Sequence, residues 1–190
     1  MNKWTTRGLV FSALFAAIYM ALTYGKLYLP ISPVPISLSN FGVMLAGSIL
    51  GARYGFLAVA IVVALAFAGL PVFGGNGGIA LLLGPSGGFI LMQPFAALLL
   101  GCFASGMVRD KLAFIKLLAA NFLFGSLFLY PIGLSWLAYK LNWSFSKAIY
   151  SGFLVYMPGD ILKAAVCTVV ALAVWRVYPT ERITGQTLVR

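Results

Sequence analysis

Met157-Pro158-Gly159-Asp160-Ile161-Leu162-Lys163 sets an acid and a base three residues apart inside a long apolar run. Pro158 suits the first turn of a helix, where its missing N–H costs nothing, or a kink if the helix begins earlier. From there on, Asp160 and Lys163 stand at i and i+3 and share a helix face. A charge at mid-membrane depth costs about 2.5–3.5 kcal/mol on insertion scales. A chain does not need such a pair merely to span a bilayer. The stretch therefore reads as a polar site inside a membrane protein.

Composition points the same way. Of the 190 residues, 62% are hydrophobic and 8% charged. A soluble domain of this size cannot hide so much apolar surface, whereas lipid covers the outside of a helical membrane protein. The net charge of +10 would suit nucleic acid if it were clustered. The lysines and arginines instead sit at the ends of apolar runs, where the positive-inside rule puts them, so no nucleic-acid partner is expected. The chain has no His, and its acids are Asp110, Asp160 and Glu181. That composition argues against a metal site of the usual kind and against a serine triad. No Walker A cradle is present. Neither catalytic residues nor a cofactor is expected. Cys102 and Cys167 each lie alone in an apolar run and read as buried, inert thiols without a disulfide.

The chain reads as one domain over residues 1–190, an all-α integral membrane protein of six transmembrane helices. Lys3 and Arg7 before an apolar run look like a secretory signal. We read a retained first helix, because Ala13, Ala16 and Ala17 lie in mid-run rather than at a cleavage position. This first span covers about Arg7 to Tyr24. Gly8, Ser12 and Ala16 form one small-residue row and Ala13, Ala17 and Ala21 a neighbouring one; such rows allow close helix packing. Lys26 to Ser39 reads as a loop, broken by Pro30, Pro33 and Pro35. The second and third spans, about Asn40–Leu50 and Phe56–Leu70, are short and joined by a tight turn at 51–55, with Gly47, Gly51 and Gly55 permitting close approach. Residues 71–88 form a Gly/Pro-rich loop folded over a pocket, because Ile79 to Leu83 are too apolar to lie in water. The fourth span runs from about Phe89 to Met107. A turn carrying both charges at 108–111 precedes the fifth, about Leu112–Leu137, with Pro131 as a kink. Asn121 reads as an interhelical hydrogen bond. The loop 138–147 offers Tyr139 and Trp143 as interface anchors. The last helix reaches Val177 and breaks or bends at Pro158.

Counting Lys and Arg beside the spans gives nine on one side (Lys3, Arg7, Arg53, Arg109, Lys111, Lys116, Arg176, Arg182, Arg190) and three on the other (Lys26, Lys140, Lys147). Both termini are thus expected in the cytoplasm. The glycine-rich loop and the Asp160–Lys163 pair then share the outer half, which predicts a central cavity there. Asn76 and Gln93 supply donors and acceptors without charge, as an amide-like ligand would need.

Four motifs carry a resemblance: Gly-Leu-Pro-Val-Phe at 69–73, Gly-Gly-Asn-Gly-Gly at 74–78, Gly-Pro-Ser-Gly-Gly-Phe at 84–89 and Pro-Gly-Asp-Ile-Leu-Lys at 158–163. In this order they resemble the BioY family, the biotin-specific substrate-binding S components of energy-coupling factor (ECF) transporters. Ser86 stands where the family usually has Thr. The resemblance implies biotin bound in the outer half and location in a prokaryotic plasma membrane. It also implies a transmembrane coupling subunit and two cytoplasmic ATPases as partners. It makes Ala13, Ala17 and Ala21 a docking row for the coupling subunit. Biotin's ureido ring has two N–H donors and a carbonyl acceptor. Asp160 would accept from the N–H groups, with Asn76 completing the ring. Lys163 either donates to the ureido carbonyl or pairs with the valerate carboxylate. Phe73, Phe89, Tyr150 and Tyr156 are candidates for the apolar wall, with Ser86 and Gln93 beside them. A stand-alone proton-coupled carrier, or an S component for another vitamin, are the alternatives.

Overall fold

The computed structural model describes residues 4–29, 32–104, 107 and 111–185. Pro30, residues 108–110 of the fourth loop, Lys3 and Arg190 lie outside the described residues.

Helix α1 (Thr6–Thr23) is capped by Thr5, whose Oγ1 accepts from Gly8 N at 3.0 Å, satisfying one of the donors a helix start leaves unpaired. Its two small-residue rows part company. Gly8, Ser12 and Ala16 are buried, and Ser12 Oγ donates to Tyr54 O at 3.1 Å. Ala13, Ala17 and Ala21 are exposed on the opposite face.

The expected first loop contains two short antiparallel strands, β1 (Lys26–Leu29) and β2 (Ser32–Ser37), with Lys26 opposite Ser37. The all-α reading is corrected to that extent. Proline forbids a helix here, but each strand of a two-stranded ribbon is an edge, and edges tolerate residues that cannot donate to a ladder.

Helix α2 (Ser39–Phe67) is continuous only in name. Gly51 has φ 76 and ψ −175, a conformation that residues with a Cβ rarely adopt. The chain reverses there: a Cβ at Gly55 would lie 2.9 Å from Ala46 O. A Cβ at Gly47 would lie 2.9 Å from Ala97 O, so the same glycine series lets the next long helix approach.

The loop over the pocket is not wholly irregular. Ile79 to Leu83 lie in a short helix, α3 (Gly78–Leu83), before α4 (Gly87–Ala104). The expected fifth span is two helices, α5 (Ala113–Gly125) and α6 (Tyr130–Leu141), joined by a 3-10 turn at Leu127–Leu129. The last span is α7 (Phe145–Ile149), a π-helical turn (Tyr150–Leu154) and α8 (Met157–Val177), followed by a short α9 (Thr180–Thr184). Each break precedes its proline, so Pro158 takes the first-turn place and Pro131 does not kink a continuous span. Pro131 and Pro158 sit in the first turns of α6 and α8, where a missing N–H is harmless. Among the described residues, five helical segments are long and apolar enough to cross a membrane: Thr6–Thr23, Ser39–Phe67, Gly87–Ala104, Ala113–Leu141 and Phe145–Val177.

The core centres on α2 packed against α1 and α4. Asn121 ties three helices: Ser48 Oγ donates to its Oδ1 at 3.1 Å, and its Nδ2 donates to Thr168 Oγ1 at 3.2 Å. Cys167 is buried, but Cys102 is exposed on α4, which corrects its reading as a buried thiol; its side of the helix faces away from the bundle. At one end Thr5 N donates to Tyr54 OH at 2.8 Å, Thr5 Oγ1 to Thr184 O, and Arg7 to Arg182 O at 3.0 Å. The start of α1, the Gly51 reversal and α9 therefore share that end. The strand pair and the glycine-rich loop sit at the other.

Candidate functional site

Two helix breaks meet at the loop-covered end. Ser126, at the first break, is buried, as is Asp160 in the first turn of α8. The partial positive charge of a helix start favours a carboxylate at that position. Asp160 Oδ1 accepts from Asn40 Nδ2 at 2.9 Å and from Lys163 Nζ at 3.0 Å; Oδ2 accepts from Tyr130 OH at 2.6 Å. Lys163 Nζ also donates to Asn40 Oδ1 at 3.0 Å, and Asn40 Nδ2 reaches Ser126 Oγ at 3.4 Å. The ion pair is thus locked by an amide that bonds both members. Removing any member of such a buried network leaves the others poorly satisfied.

These groups face a cavity of ≈ 120 Å³. Its polar wall is Asn40, Ser126, Tyr130, Asp160 and Lys163. Its apolar wall includes Phe73, Leu81, Phe89, Ile90, Leu129 and Tyr156. The Phe89 and Tyr130 rings meet edge to face, with centroids 6.0 Å apart. Gln93 lines the cavity from α4, accepting at Oε1 from Tyr19 OH and donating from Nε2 to Ser39 Oγ at 3.2 Å. Ser86 lines it where α3 gives way to α4. Gly84-Pro85-Ser86-Gly87-Gly88 has the spacing of a hydrolase nucleophile elbow. It joins two helices rather than a strand to a helix, and the chain has no His to serve as base.

Lys26 enters from β1 under the glycine-rich loop. Its Nζ donates to Phe73 O at 2.7 Å and approaches Gly74 O at 3.5 Å. Burial lowers the pKa of this ammonium below the ordinary lysine value. Gly74 has φ +56, and a Cβ there would lie 2.6 Å from Lys26 Nζ, so only glycine lets the lysine lie against the loop. Gly74 N donates to Thr23 Oγ1 at 2.9 Å, and Thr23 Oγ1 donates to Val72 O at 2.8 Å. At the loop's far end, Trp136 Nε1 donates to Gly84 O at 2.9 Å. The cover is therefore tied to α1, β1 and α6.

The expected residues fall into two groups. Asp160, Lys163, Gln93, Ser86, Phe73, Phe89 and Tyr156 converge on the cavity. Asn76 and Tyr150 do not. Asn76 is exposed, and its Nδ2 donates to Phe73 O at 3.4 Å and Gly74 O at 3.3 Å, closing its own turn. Tyr150 is 63% exposed. It begins the π-helical turn and does not line the cavity. Sequence reading missed Asn40, Tyr130, Ser126 and Lys26. The available signal was Ser37-Leu38-Ser39-Asn40, polar residues entering an apolar helix at the loop-covered end.

The BioY family profile matches residues 1–180. The biotin transporter BioY of Rhizobium etli is 39% identical over 184 residues, covering 92% of this chain and 96% of that protein. The probable biotin transporter BioY of Pyrococcus horikoshii is 38% identical over 174 residues, covering 90% and 94%. A crystal structure of the S-component for biotin from an ECF-type ABC transporter superposes with a TM-score of 0.87 at 35% identity, covering 93% of this chain and 95% of that one.

Proposed function

The chain belongs to the BioY family, and on that premise we propose that it captures biotin in the cavity beside Asp160 as the substrate-binding subunit of an ECF transporter. It is a multi-pass protein of a prokaryotic cell membrane. The observation that carries this reading is a buried carboxylate facing a cavity with a polar floor and an aromatic wall. Asp160 accepts three hydrogen bonds from the protein. A carboxylate has about four lone-pair sites, so it retains capacity for a ureido N–H. Asn40 and Lys163 lie beside it to serve the rest of the ring. The fused ring and alkyl chain lie against Phe73, Phe89 and Tyr156, with Gln93 and Ser86 at the margin.

Six crossings follow if the two arms of α2 on either side of Gly51 each cross the membrane, with α1, α4, α5–α6 and α7–α8 as the others. Both termini are then cytoplasmic, by the distribution of Lys and Arg, and the cavity lies in the outer half. Residues 1–190 act as one unit. The chain itself catalyses no reaction and holds no cofactor. A transmembrane coupling subunit and two cytoplasmic ATPases supply the energy. The outward row of Ala13, Ala17 and Ala21 on α1 is the docking face for the coupling subunit, since small residues let another helix approach closely.

Equilibrium titration of the purified chain with biotin, thiamine and riboflavin tests the ligand. Tight binding of biotin alone is expected; preference for another vitamin overturns it. Uptake into liposomes should then require the ATPase module and nucleotide. Uptake by the isolated chain under a pH gradient would instead make it a proton-coupled carrier.

A further inference from the structure

Two lysines and one aspartate line the cavity: Lys26, Lys163 and Asp160. Asp160 and Lys163 neutralise each other at 3.0 Å. Lys26 has no such partner. Its bonds run to two backbone carbonyls, and no carboxylate among the described residues pairs with it. The cavity as a whole therefore carries one uncompensated positive charge. A neutral ligand would leave it so, whereas a monoanion would balance it.

The position of that charge matters as much as its sign. Asp160, Asn40, Lys163 and Tyr130 form one polar cluster on α2, α6 and α8. Lys26 stands on a different wall, between β1 and the glycine-rich loop, with Phe73 beside it. The cavity thus offers a polar cluster, an apolar stretch and a separate cation. Biotin has the matching sequence of groups: a ureido ring, an apolar bicycle and chain, and a terminal carboxylate. Lys163 is already shared between Asp160 and Asn40, so drawing it to a carboxylate would strip Asp160 of its counter-ion. An ammonium has three donors. Lys26 makes one short bond, to Phe73 O at 2.7 Å, and one long approach, to Gly74 O at 3.5 Å, which leaves a donor for a ligand oxygen.

We propose that Lys26 is the residue that selects the ligand's carboxylate, leaving Lys163 to the ureido end. This rests on the reading of the cavity as a biotin site. A carboxylate on Lys26 also joins ligand to cover, because the same ammonium holds the Phe73 carbonyl. Anionic ligands thereby stabilise the closed loop, and uncharged analogues do not.

Calorimetric titration of the full chain with biotin and with biotinamide, its neutral carboxamide, tests this. The ratio of the two affinities is the readout, since it is insensitive to any general loosening of the loop. The unaltered chain should prefer biotin by at least about tenfold, as one charge-assisted hydrogen bond allows. Lys26→Met should bring the ratio close to one, Lys26→Arg should keep most of it, and Lys163→Met should lower both affinities while keeping the preference. Equal binding of the two ligands by the unaltered chain, a ratio that survives Lys26→Met, or a ratio that vanishes in Lys163→Met would each overturn the assignment while leaving the biotin site standing. Failure of the unaltered chain to bind either ligand would overturn the site, and this inference with it.

Discussion

Replacing Asp160 by Asn tests the centre of the site. The side chain keeps its shape but loses its charge, and one terminal oxygen becomes an NH2 donor. If that donor replaces Oδ1, it confronts Asn40 Nδ2 and Lys163 Nζ, at 2.9 and 3.0 Å in the parent, with no acceptor between them. If it replaces Oδ2, Tyr130 OH, at 2.6 Å, can turn to accept, so this orientation is preferred. The remaining carbonyl then bonds Asn40 and Lys163 as a neutral acceptor, weaker than a carboxylate. A charge-assisted hydrogen bond to the ligand is worth about 1.5–3 kcal/mol, so its loss predicts biotin binding weakened by about 10- to 150-fold. Stability should fall too, because Lys163 loses its counter-ion; breaking a buried pair by removing one partner costs about 3–5 kcal/mol. Titration in nanodiscs measures the first effect and thermal unfolding of the same sample the second. The double change Asp160→Asn with Lys163→Met separates them, since stability should recover while affinity does not. Unchanged biotin affinity in folded Asp160→Asn protein would refute the reasoning and remove this residue from the site.

Tyr130→Phe deletes one bond to Asp160 and leaves its ring packing in place; it should weaken biotin binding by several-fold in titration, less than Asp160→Asn does. Asn121→Ala should do the reverse. It leaves Ser48 Oγ without its acceptor and Thr168 Oγ1 without its donor, costs about 1–3 kcal/mol of stability, and lowers the melting temperature by several degrees, while affinity in the folded fraction stays at the parent value. Ala17→Trp puts a large ring on the outward face of α1 and should abolish co-purification with the coupling subunit while biotin titrations stay unchanged.

The Asp160–Lys163 pair was legible because charge inside an apolar run is costly and stands out. Its partners were not legible, because polar residues near span ends are ordinary. Asn40 stands in the first turn of α2, Tyr130 follows the break at Ser126 and Asp160 follows the π-helical turn, and no local pattern places the three in register. Pro158 opens α8, the first of the two places its sequence allowed, whereas Pro131, read as a kink within one span, opens α6 instead. Asn76 misled for a related reason. An amide among glycines reads as a ligand group, yet the turn it belongs to presents carbonyls nearer at hand. The two small-residue rows of α1 were readable from the four-residue spacing, because a helix converts that spacing into a face, but which row faces inward was not.

Buried side-chain nitrogen and oxygen atoms without a partner, among the described residues, are Trp175 Nε1 and Thr180 Oγ1; neither lines the cavity. The polar groups of the cavity wall are therefore held by bonds within the protein itself. Each acid and amide of the grip has a neighbour in the protein as its partner, so a scaffold of this kind should keep its shape through scarcity of the nutrient it collects. Membranes from starved cells should hold it folded and ready rather than degraded, and stripping the guest during purification should leave an intact receptor behind.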